Sequence, residues 1–216
     1  GPQGFVPAHH PQHDSSEAIL PDGSETSFMF ADVRHKLHAC CHGAHAMIEG
    51  LRNLVAAHDI TAQNLAALSI RVNPRWLKVC DIKAPRTGLE VKFSYVFLAA
   101  MVLHHIDTAA YQSYDDSICG DAGLIATASK ITVIGDEAIS DGAVNVSADT
   151  QSGVHHTTDF DLMDPIDLSV LGPRLVAKAS VLIGPARAEK IWESMDDLDS
   201  MTAAQMARCL QPLQNA

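Results

Sequence analysis

The hydrophobic period of this chain switches back and forth along its length, and that switching limits the folds open to it more than any single residue does. Ala44, Ile48, Leu51 and Val55 recur at helical spacing, with Met47 and Leu54 widening the stripe, and predict a helix buried on one face from about residue 43 to 58. Leu68, Ile70 and Val72 then alternate with Ser69, Arg71 and Asn73 until Pro74 ends the run, the pattern of a strand with one buried face. Helical spacing returns in Phe93, Val96, Phe97, Ala100 and Leu103, predicting a helix over 92–104, and Asp107 is placed to cap a short third helix through Tyr111. Ile131 and Val133, then Val144, Val146 and Ala148, go back to alternation. Asp141-Gly142 between them reads as a hairpin turn, and a run around 154–158 after Ser152-Gly153 extends the meander. The chain ends in helical spacing again, through Leu175, Ala179, Leu182 and Ile183, then Ala188, Ile191, Trp192 and Met195, and finally 201–210. An α+β fold follows: a small, largely antiparallel sheet flanked by helices.

Residues 1–30 carry no such period. They are rich in Pro, Gly, His, Ser and acids, and read as an extended arm or linker with a turn at Pro21-Asp22-Gly23, leaving 31–216 as one α+β domain. A length of 216 residues suits a single core. No apolar run approaches the roughly 18 residues a membrane helix needs. The start has no basic segment followed by an apolar one, so nothing reads as a secretory signal. The five cysteines are odd in number and lack a CxxC pair, which fits a reduced compartment and points to the cytoplasm. Lys and Arg total 15 against 26 Asp and Glu, a formal net charge of −11. Such a field repels nucleic acid and anionic membrane surfaces, so an anionic ligand must be drawn by local charge. Arg71, Arg75, Lys83 and Arg86 form a loose basic cluster around the first strand, but without interleaved aromatics it is a poor nucleic-acid signal.

The chemistry concentrates in "RHKLHACCHGAHAMIEGL", residues 34–51. His35, His38, His42 and His45 are three, four and three apart, so a continuous helix would gather them for a metal. Gly43, the missing apolar stripe before it and the lack of any acid among them argue against that. Cys40 or Cys41 beside histidines at a helix N-terminus could serve as a thiol nucleophile, although free cysteine more often packs as a small buried residue. The third reading is an anion pocket: Lys36, the backbone N–H groups of 41–44 and a histidine one turn into the helix would hold a carboxylate. Lys92-Phe93-Ser94-Tyr95 offers a second lysine with a hydroxyl beside it at another predicted helix start, which suits a ligand with more than one carboxylate. Either lysine alone reads equally as a solvated charge. His155-His156 fall on a predicted strand, one ring toward the core side and one toward solvent, as structural or surface residues.

"KLHACCHGAHAMIEGL", followed by "LEVKFSYVFLAAMVL", "ASKITVIGDE" and "AKASVLIGPARAEKIWESMDDLD", resembles the MmgE/PrpD family, which includes 2-methylcitrate dehydratase and cis-aconitate decarboxylase. The order and spacing of these segments cover most of residues 33–210, and the opening "GPQGF" resembles the stretch where the family's second domain begins. The resemblance implies the smaller α+β C-terminal lid alone, with the active site lying in a cleft against a helical N-terminal domain that is absent here. Lys36 and His45 match the family's K-x-x-x-x-C-x-x-x-H pattern and are the implied catalytic pair. Cys41, His42, Lys92, Ser94 and Tyr95 are the implied substrate-binding residues. Cys41 stands where the decarboxylase branch carries histidine, which favours dehydration or isomerisation over decarboxylation. The resemblance further implies a small polycarboxylate substrate, no metal or other cofactor, a principal base supplied by the helical domain or subunit, and a homo-oligomer. The rival expectation is a stand-alone lid that binds a carboxylate or a protein partner and catalyses nothing.

Overall fold

A computed structural model describes residues 33–211 of the chain. The chain divides into two units, Gly1–His35 and Lys36–Ala216. The arm expected over 1–30 lies outside the described residues, and the second unit carries everything below.

Helix α1, His45–His58, is entered through a single 3-10 turn, His42–Ala44, and stops where Asp59 takes a left-handed conformation, φ 51°. Strand β1, Leu65–Val72, buries Leu65, Leu68, Ile70 and Val72, and joins β2 (Ile131–Gly135), β3 (Ala143–Thr150) and β4 (His155–Asp161) in one sheet of order β2-β1-β3-β4. The β1–β3 and β3–β4 pairs are antiparallel and the β1–β2 pair is parallel, so the sheet is largely antiparallel as expected.

The hairpin expected at Asp141-Gly142 does not form. β2 and β3 lie on opposite edges of β1, because β1 is central and pairs with both, and the parallel β1–β2 pair is reached by a long helical crossover. Gly142 marks a close approach instead: a Cβ there would fall 2.7 Å from the Asp161 carboxylate. The turn at Ser152-Gly153 does close the β3–β4 hairpin, with Gly153 at φ 85°.

The crossover holds α2 (Leu77–Cys80), α3 (Gly88–Val91), α4 (Tyr95–Leu103) and α5 (Ala122–Ala128). All nine residues of α4 are buried, which its all-round apolar character requires, and it packs against α1, α5 and β2. The helix expected over 92–104 therefore begins at Tyr95, because Ser94 caps it by accepting from Phe97 N–H at 3.3 Å. The short helix expected from Asp107 through Tyr111 is also absent. Asp107 accepts from Ala109 N–H at 2.8 Å, while Thr108 C=O is taken by Ala39 N–H at 2.8 Å and Tyr114 O–H at 2.9 Å, which pins this stretch as a loop. Helical structure resumes only as a 3-10 turn at Tyr111–Tyr114.

Helix α1 lies on β3 and β4 with Gly50 at the contact: a Cβ there would meet Val144 and Phe160 at 3.2 and 3.3 Å, so glycine permits the close approach. Three helices end the described chain: α6 (Leu168–Ile183), α7 (Pro185–Ser194) and α8 (Ala203–Leu210). Gly184 at φ 87° breaks the first from the second, and Pro185 begins the second where its missing N–H costs nothing. Within these helices Gly172 and Ala188 alone are fully buried, and many large apolar side chains face outward, Leu168 being 67% exposed.

Candidate functional site

The segment before α1 is positioned from three sides. Ala39 N–H donates to Thr108 C=O at 2.8 Å, Cys41 N–H donates to Lys92 C=O at 3.0 Å, and Tyr95 O–H donates to Gly43 C=O at 2.8 Å. Gly43 is required here, because a Cβ would fall 2.3 Å from the Trp76 indole. The "HACCHGAH" sequence is thus held as a bent loop running into a helix. His38, His42 and His45 still cluster: ring centroids are 5.0 Å apart for His38 and His45, and 5.1 Å for His42 and His45.

The three rings have different surroundings. Glu49 accepts from His38 Nε2 at 2.8 Å, and since a carboxylate only accepts, the proton must sit on Nε2. Nδ1 then accepts from Thr108 O–H at 2.8 Å, so both nitrogens of this buried ring are used by the protein. Arg174 from α6 donates to the same Glu49 oxygen at 2.6 Å. Burial alone would raise the Glu49 pKa, but hydrogen bonds from His38 and Arg174 and the Arg174 charge outweigh it and lower it to about 2. His38 is lowered by burial, against the pull of Glu49.

His45 is 1% exposed, and its Nε2 has no hydrogen-bond partner among the described residues. Burial first, then His38, His42, Lys36 and Lys178, lowers its pKa to about 3, so it is a neutral imidazole. His42 is half-buried and is lowered by burial and by Lys36. Lys36 is exposed, and its carbonyl accepts from the Lys178 ammonium of α6, whose own pKa is lowered by burial and by Lys36.

Of the expected site residues, the implied catalytic pair Lys36 and His45 and the implied substrate-binding His42 come together, graded from exposed to buried. Cys41 is half-buried in the loop beside them. Ser94 and Tyr95 are fully buried with their hydroxyls engaged by Phe97 N–H and Gly43 C=O, so they brace this loop from behind. Lys92 places its ammonium 5.0 Å from the Tyr114 ring centroid.

Burial pushes the Cys40 thiol up to about 12 and raises Cys80 as well, so neither is a ready thiolate. All five cysteines are free. Among the described residues no group of three or more His, Cys, Asp or Glu is arranged to hold a metal ion, and no helix is long and apolar enough to cross a membrane. The basic cluster is paired: Arg71 with Asp136, Arg75 with Asp141, Lys83 with Asp81 and Arg86 with Glu90. His155 meets Asp149 at 2.7 Å and His156 stacks on His58 at 4.0 Å, which makes this pair structural.

The family model of the MmgE/PrpD C-terminal domain matches residues 38–164, more than half of the chain, from His38 to just past the β3–β4 hairpin. This chain belongs to the MmgE/PrpD family. A comparison with curated proteins gave no match. Within the MmgE/PrpD match lie the histidine cluster, Glu49 and Thr108. Lys36 falls just before it, and Arg174 and Lys178 lie beyond it on α6. Sequence reasoning missed the His38–Glu49–Arg174 network. One signal was available: Glu49 is a lone acid in the otherwise apolar run Ala46 to Leu51, four residues after His45, and a buried acid requires partners.

Proposed function

We propose that this chain supplies the carboxylate-holding half of an MmgE/PrpD-like lyase, a hydro-lyase or isomerase acting on a small di- or tricarboxylate, whose active site is completed by a helical domain or subunit. The observation that carries the reading is His45, a buried neutral imidazole whose Nε2 has no hydrogen-bond partner among the described residues, grouped with His42 and the Lys36 and Lys178 ammonium groups. A buried polar atom left unpaired costs about 1–3 kcal/mol, so the His45 Nε2 calls for a partner that a ligand or a water can supply.

In the proposed reaction a base takes the proton from the carbon next to a carboxylate, the C–H electron pair becomes the new double bond, and the hydroxyl on the neighbouring carbon leaves as water with a proton from an acid of the completed site. Charge builds on the carboxylate as the proton leaves. Lys36 answers it with an ammonium at the exposed end of the site, His42 and the Cys41 region border the bound anion, and Lys92 takes a second carboxylate. His45, neutral at working pH, polarises through an N–H without becoming an acid in its own right. The principal base comes from the helical domain. Support for such a partner lies in the apolar side chains that α6–α8 leave exposed, since a monomer rarely shows a large apolar patch. A cytoplasmic homo-oligomer without a cofactor belongs to the same reading.

A second reading, a stand-alone lid that binds a carboxylate or a protein without turnover, is favoured by the internal use of the Ser94 and Tyr95 hydroxyls. The mass of the native assembly, purified without a tag, with identification of co-purifying polypeptides, separates the two. A helical partner and dehydration of methylcitrate-like substrates by the complex support the lyase. A lone homo-oligomer without turnover supports the lid.

A further inference from the structure

Beside the histidine cluster is a second charged feature, of which the lyase reading uses Lys178 alone. A cleft of about 200 Å³ is formed by α1, α6, the loop that carries Asp107 and the segment before α1, from which His38 lines it. Three cations line it, Arg52 from α1 and Arg174 and Lys178 from α6, and among the described residues Asp107 is the one carboxylate in its lining. Lys36, His42 and His45 do not line it. A neighbouring hollow of about 360 Å³ shares Arg52 and Asp107.

The charges are not matched within the cleft. Asp107 is engaged by Ala109 N–H, and Glu49 takes one nitrogen of the Arg174 fork. Arg52 has no acidic partner among the described residues, in a chain whose formal net charge is −11. Like charges gathered in one concavity repel, and a bound anion removes that cost. Arginine forks match the oxygens of phosphate and carboxylate, and a lysine adds a point charge. The space has room for an anion of a few heavy atoms.

We propose that this cleft is a second oxyanion site, adjoining the Lys36–His45 site through Lys178, that takes a small phosphate-type or dicarboxylate anion on Arg52, Arg174 and Lys178. An anion there bears directly on Arg174 and on His38, which lines the cleft beside His45. The proposal does not depend on the lyase reading.

The test is calorimetry on the full chain with inorganic phosphate and, separately, succinate, repeated with Arg52→Gln and Lys36→Ala. Arg52 is exposed, and thermal unfolding without anion verifies that the variant is folded. The expected result is saturable binding of inorganic phosphate, or of succinate in the Lys36→Ala background where the first site is weakened, that falls about tenfold or more with Arg52→Gln, as loss of a charged hydrogen bond implies. Which anion binds identifies the source of the oxyanion. No saturable binding of either anion, equal binding by Arg52→Gln, or a loss seen only with Lys36→Ala overturns the site.

Discussion

His38 and Glu49 are both buried and stand 2.8 Å apart, tying the segment before α1 to the helix that follows it. Arg174 joins the same Glu49 oxygen from more than a hundred residues away in sequence. One carboxylate therefore holds three parts of the chain together around His45.

Glu49→Gln keeps the shape and removes the charge. The amide can still accept from His38, but the Arg174 guanidinium loses its carboxylate, and stability is expected to fall by about 1–3 kcal/mol in denaturant titration. Arg174→Met acts through the same oxygen, so the double variant should depart from additivity by about 0.5 kcal/mol or more. Additive effects would mean that the two contacts are independent.

Acid should destabilise the protein in two stages. His38 and His45 have folded pKa values below the ordinary 6.5, that of His45 near 3, so the unfolded chain binds more protons below pH 6.5 and stability falls as pH drops through that range. Glu49, lowered from 4.5 to about 2, adds a further loss as pH falls through that lower window. Melting temperatures followed from pH 7 to 3 should decline, and His45→Asn should flatten the slope below pH 6.5. A variant as steep as the parent would remove His45 from this account.

Gly43→Ala drives a methyl into the Trp76 ring, which is itself fixed by donating from Nε1 to Asp141 C=O at 2.8 Å. Overpacking of this kind costs about 1–3 kcal/mol, and circular dichroism during thermal melting reads it. An unchanged melting temperature would show that the ring moves aside freely.

The sequence made α1, β1, the β3–β4 hairpin and the terminal helices legible, because each carries its own period and turn chemistry. It misplaced β2, since strand pairing is decided by long-range contact with Leu68 and Ile70 and the local Asp-Gly signal says nothing of it. The Asp107 helix failed for a similar reason: Thr108 is held by Ala39 and Tyr114, partners that no local pattern reveals. At the site, Lys36, His42 and His45 were readable from one short motif. Arg174 and Lys178 were not, because only tertiary packing brings α6 against α1.

Lys36→Ala should weaken citrate binding by about 1.5–3 kcal/mol in calorimetry, the range for a charged hydrogen bond. Unchanged affinity would remove Lys36 from the pocket.

The most direct test is turnover after this chain is combined with a helical MmgE/PrpD N-terminal domain, following the absorbance of the new double bond formed from a methylcitrate-like substrate. The account predicts turnover by the complex alone, lost in His45→Gln while the complex still assembles. A complex that assembles and stays inactive, or a fully active His45→Gln complex, would contradict it.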